Sequence, residues 1–135
     1  MLAALAADVV VVLLFAAVGR SSHEEGLTPG GVLQTAWPFL AGVALGWAVV
    51  RVRRDRWPLE VDDGVVVWVA GVAGAMLLRR ATGAGTDPAF VVVATVVLGV
   101  LLLGWRAVRR RLRPTWGRRQ SARPGEARGR WSRPT

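Results

Sequence analysis

Asp8 is the first residue whose type and position could do chemistry. It lies inside LAALAADVVVVLLFAAV, an apolar run from Leu2 to Val18 with no other charge. Starting a membrane span after Asp8 leaves ten apolar residues before Gly19-Arg20, too few to cross, so the carboxyl belongs inside the span. An ionisable group there costs on the order of 2.5–3.5 kcal/mol on insertion scales and marks a pathway or a paired site. A carboxyl taken out of water favours its protonated form, which makes Asp8 a candidate protonatable group. The bland reading is that Asp8 bonds a neighbouring helix or reaches the nearby interface and only fixes packing. Phe15, Gly19 and Ser22 follow Asp8 at helical spacing, so one stripe could connect the acid to the far end of the helix.

A second cluster is Arg20, His23, Glu24 and Glu25 in the first connection, which alternating spans bring to the same side as Arg79, Arg80 and Asp87. A histidine beside two glutamates could bind a metal or sense pH. With one histidine and no cysteine in the chain, a tight transition-metal site is not expected, and no cofactor is implied. The solvated alternative is a polar loop whose charges cap helices; within it, Glu24 and Arg79 are the pair expected to meet. No GxSxG, Walker loop, HExxH or dinucleotide fingerprint occurs, so an enzyme is not expected.

Four apolar stretches must position these residues. The plainest is FVVVATVVLGVLLLGW, opened by Asp87-Pro88 as N-cap and first helical residue and closed by Trp105-Arg106 at an interface. At ~1.5 Å per residue it spans a ~30 Å hydrocarbon layer. The spans are expected at about 2–19, 32–50, 63–80 and 88–106. A signal peptide is the competing reading of the first, but it lacks a basic n-region and carries Asp8 in its apolar core. Thr28-Pro29-Gly30-Gly31 reads as a break before the second span, and Pro38 either starts that helix or kinks a longer one. Gly42 and Gly46 share one helix face, and Gly71 with Gly74 and Ala75 forms another, so backbones could approach closely there. Asp62-Asp63 before the third span and Arg79-Arg80 at its end complement the helix dipole.

The chain is 53% hydrophobic, and all 18 basic residues are arginine, giving a net charge of +9. In a soluble protein that charge would suggest nucleic acid. Here the second connection and the segment from Arg106 hold fifteen arginines, against three in the other two connections. The positive-inside bias then places both termini in the cytoplasm. Residues 1–108 form one all-α domain, a polytopic antiparallel bundle of four transmembrane helices. Residues 109–135 form an arginine-rich tail expected to be disordered and drawn to anionic lipid headgroups rather than nucleic acid.

Asp8, Phe15, Gly19-Arg20, Ser22-His23, Trp37-Pro38-Phe39, Gly42, Gly46, Leu78-Arg79, Gly83, Gly85, Phe90 and Gly104-Trp105-Arg106 stand in an order that resembles the bacterial membrane family known as domain of unknown function 3054. The resemblance covers roughly residues 3 to 107. It implies small four-helix integral membrane proteins of the bacterial plasma membrane and carries no activity. Two functions remain open from the sequence: a small transporter or ion-permeation protein using Asp8 in a homo-oligomer, or a non-transporting scaffold or accessory subunit. A transporter needs the Asp8 charge, whereas a scaffold tolerates asparagine.

Overall fold

The computed structural model describes residues 1–21 and 26–112. They form four helices: α1 (Leu2–Ser21), α2 (Pro29–Arg54), α3 (Val61–Ala81) and α4 (Pro88–Leu112). There is no strand among the described residues. All four are long and apolar enough to cross a membrane, and the chain is an all-α, multi-pass membrane protein. Each helix follows from an uninterrupted apolar run, because a backbone in hydrocarbon must satisfy its own hydrogen bonds. Short connections make successive helices antiparallel. The starts of α1 and α3 and the ends of α2 and α4 therefore share one end, called here the arginine-rich end. Of the tail expected from residue 109, residues 109–112 are instead helical as the end of α4, and residues 113–135 lie outside the described residues.

The second helix differs from its expected bounds. Thr28-Pro29-Gly30-Gly31 is its N-cap and first turn, not a break before it: the Thr28 hydroxyl accepts from Gly31 N at 3.2 Å, and Pro29 sits where a missing N–H costs nothing. Pro38 consequently lies in the helix interior and is buried. α2 ends at Asp55, which takes a left-handed conformation (φ 48°) and accepts an ion pair from Arg51 one turn back.

α2 and α3 pack through glycine. A Cβ on Gly42 would lie 2.6 Å from the Gly71 carbonyl oxygen, and one on Gly46 would lie 2.7 Å from Val67 Cα. Only hydrogen on these Cα atoms permits the approach. Gly71, expected on the small face of α3, meets Val43 from the other side. α1 has no such seam. It lies against α2 and α4 through Ala4, Asp8, Val12, Phe15 and Ala16. α4 buries Ala94, Leu98, Leu102 and Arg106, four residues apart along one face. Away from the arginine-rich end, Phe15, Phe39 and Phe90 form a triangle with centroids 5.2 to 6.3 Å apart.

Candidate functional site

Arg106 neither ends α4 nor points outward. The helix runs on to Leu112, and the Arg106 side chain turns into the bundle and is 1% exposed. Room for it comes from Gly64, whose added Cβ would lie 2.6 Å from Arg106 Cδ. The guanidinium meets Asp8 end-on: Nη1 donates to Oδ1 at 2.9 Å and Nη2 to Oδ2 at 2.7 Å. Two indoles complete the shell of the carboxylate. Trp47 Nε1 donates to Oδ2 at 2.8 Å, and Trp105 Nε1 donates to Oδ1 at 2.9 Å. Arg106 is satisfied in turn, with Nε donating to Pro58 O at 3.2 Å and Nη1 to Leu102 O at 2.8 Å.

This network joins α1, α2, α4 and the connection after α2 through one fully buried carboxylate. A bidentate arginine–carboxylate pair is the strongest geometry these groups offer. Burying two charges costs several kcal/mol per ion unless the geometry is good and the remaining lone pairs are bonded, and both conditions hold here. Asp8 is therefore an occupied acceptor with four donors around it. The stripe expected from Asp8 through Phe15, Gly19 and Ser22 does not form a polar line: Phe15 is in the apolar core, Gly19 is exposed, and Ser22 lies outside the described residues.

A second carboxylate is buried nearby in the chain fold. Asp63 was expected to complement the α3 dipole, and it sits in the first turn of α3 with no exposure. Its Oδ1 accepts from Arg54 at 2.5 Å and Arg56 at 3.0 Å, while the exposed Asp62 accepts from the same two arginines. The hydrogen bond to Asp63, and the charge behind it, push the Arg56 guanidinium above its ordinary pKa. Three of the four arginines of this connection thus have carboxylate partners. Asp8, Asp63 and Arg106 make up the buried charged side chains among the described residues.

At the opposite end, the described arginines of the expected cluster, Arg20 and Arg79, each serve a turn. Arg20 Nε donates to Gly26 O at 3.4 Å, and its guanidinium covers Gly31 in the first turn of α2. Arg79 donates to Ala84 O at 2.9 Å and Gly85 O at 3.1 Å, fastening a turn in which Gly83 and Gly85 have positive φ. The same guanidinium stacks 4.3 Å over Phe90. His23 and Glu24 lie outside the described residues, and with them the expected Glu24–Arg79 pair. No group of three or more metal-ligating side chains occurs among the described residues. An open apolar groove between α1 and α2 is lined by Val10, Leu13, Leu14, Ala17, Val32 and Leu33, and none of the buried charges lines it.

Sequence reasoning singled out Asp8 but missed Arg106, Trp47 and Trp105 as its partners. The spacing of Ala94, Leu98, Leu102 and Arg106 was the available signal, since one arginine continues the core stripe of its helix. No curated protein and no solved structure matches this chain. A family model described as a protein of unknown function (DUF3054) matches residues 5–109. Its match runs from the first turn of α1 past Arg106, and the chain belongs to that family.

Proposed function

We propose that this protein is a non-transporting membrane scaffold or accessory subunit, held in one closed arrangement by the Asp8–Arg106 pair. The observation that carries this reading is the distribution of buried polar groups. Asp8, Arg106 and Asp63 all belong to the arginine-rich end, and the core beyond them is Val12, Phe15, Ala16, Phe39, Val43, Ala94 and Leu98. A coupling carboxylate must exchange its proton with water on at least one side and reach a polar cavity on its way. Asp8 instead has both oxygens occupied, and the aromatic triangle fills the axis above it.

Orientation follows the arginine count, with both termini on the cytoplasmic side of a bacterial plasma membrane. Trp57, half-exposed beside Arg51, and Trp105 would then stand at the cytoplasmic interface, where indoles are favoured. This reading assigns no catalytic role: among the described residues the buried charges are the Asp8–Arg106 pair, its carboxylate saturated, and Asp63, whose Oδ1 is held by two arginines.

The test is reconstitution in liposomes enclosing a pH-sensitive dye. Wild-type vesicles should leak protons no faster than empty ones under an imposed gradient. Flux through the wild type that disappears in a folded Asp8→Asn variant would instead make Asp8 a coupling group, in an assembly where a second copy completes the cavity.

A further inference from the structure

Past Arg106, α4 continues for about 9 Å at ~1.5 Å per residue. This last stretch carries Arg109, Arg110 and Arg111 between the exposed apolar residues Val108 and Leu112. Like the exposed Arg53, the three have no carboxylate partner among the described residues. Arg51, Arg54, Arg56 and Arg106 are each bonded to an aspartate. Arg109 stands three residues after Arg106, continuing the core stripe, and its Nη1 is buried without an acceptor. A guanidinium carries five donors and no acceptor, and Arg109 is only part-buried, so its accessible donors are open to an oxygen from outside the bundle.

We propose that the end of α4 seats one anionic glycerophospholipid, with Arg109 as the anchor of its phosphate. Arg110 and Arg111 face solvent on the following positions and add charge. Val108, 56% exposed, lies on the hydrocarbon side of Arg109, where an acyl chain begins. Basic and apolar residues on one helix end match a molecule with a phosphate and a hydrocarbon chain better than a free anion. The site is distinct from the tail beyond residue 112 and does not depend on the scaffold reading.

The experiment uses the full-length chain in a zwitterionic detergent, titrated with phosphatidylglycerol or phosphatidylcholine and read by native mass spectrometry. Phosphatidylglycerol should bind at a defined stoichiometry of one. Arg109→Gln should weaken it tenfold or more, above the roughly fivefold that any single arginine near an anionic surface contributes. Arg119→Gln removes the same charge from the tail and should change binding less than twofold. Equal losses in the two variants would mean diffuse attraction and overturn the proposal, as would undiminished binding by Arg109→Gln. Displacement by glycerol phosphate as readily as by lipid would reassign the site to a free phosphate, and displacement by a short RNA to nucleic acid; either overturns it. Should Arg109→Gln fail to fold, Val108→Asn on the exposed flank decides: it must weaken the lipid, and unchanged binding counts against a seated chain.

Discussion

α3 and α1 are both fastened to α2, by opposite means. The α2–α3 seam is made of absences: Gly42, Gly46, Gly71 and Gly74 remove side chains so that two backbones touch. α1 offers no glycine to its neighbours and is held by Phe15, small apolar residues and one carboxylate. In hydrocarbon there is no hydrophobic drive between helices, so close packing and buried hydrogen bonds are what remain. A glycine seam depends on shape along several turns, and a charge network depends on a few atoms at one level. The two should therefore fail differently. Damage to the first should be graded with side-chain size, and damage to the second should be abrupt and dependent on charge.

The largest effect is expected from breaking the ion pair. Asp8→Asn puts an amide among four donors, and Arg106→Gln leaves a carboxylate with two indoles. Each should cost about 3–5 kcal/mol, because the surviving charge is buried and uncompensated. Denaturant titration in detergent micelles measures this. The double variant Asp8→Leu/Arg106→Met should recover much of the loss, since removing both charges removes the need for either. A double variant as unstable as the sum of its parts would mean that α1 is held by something other than this pair.

A middling effect is expected on the other seam. Gly42→Ala places a methyl 2.6 Å from the Gly71 carbonyl, which is backbone and can yield only by parting the helices. About 1–3 kcal/mol should be lost, and more with Gly42→Val. Gly104→Ala, on a helix face with nothing within 4 Å, should if anything stabilise, by up to about 1 kcal/mol, and controls for glycine replacement itself. Gly64→Ala sharpens the comparison, because its methyl meets Arg106 Cδ rather than backbone. Combined with Arg106→Ala, which has no Cδ, the Gly64→Ala cost should shrink; strict additivity would show that Gly64 does not serve Arg106.

Four spans and their alternation were readable because apolar length is a strong local signal. The ion pair was half readable. Asp8 is conspicuous in an apolar run, but Arg106 stands at the end of one, where an arginine anchoring a helix at the interface looks the same as one turned inward. Its partner is 98 positions away, and only the fold joins them. Arg109–Arg111 could have raised the question, since a helix with three later arginines has other residues to serve as its anchor. Asp63 was hidden for a similar reason. A carboxylate in a first helical turn is adequately explained by the dipole, so nothing local announced that Arg54 and Arg56 close over it.

The smallest effect should come from the indoles. Trp47→Phe and Trp105→Phe each delete one donor to Asp8 while leaving an arginine N–H on the same oxygen. A hydrogen bond to a charged group contributes about 1.5–3 kcal/mol, and the retained bond on each oxygen argues for the low end of that range. Trp47 is buried, and its ring packs 6.2 Å from that of Trp57, so its replacement also loses contact area; Trp105 is only half-buried and stacks against Arg106 at 4.5 Å. Trp47→Phe should accordingly cost more than Trp105→Phe. The hydrogen-bond part can be isolated by repeating both substitutions in the Asp8→Leu/Arg106→Met background, where no carboxylate remains to receive the indoles. The Trp105→Phe cost should fall nearly to zero there, and the Trp47→Phe cost to its packing remainder. If neither cost changes between the two backgrounds, the indoles hold the bundle by bulk alone, and the network at Asp8 reduces to the arginine.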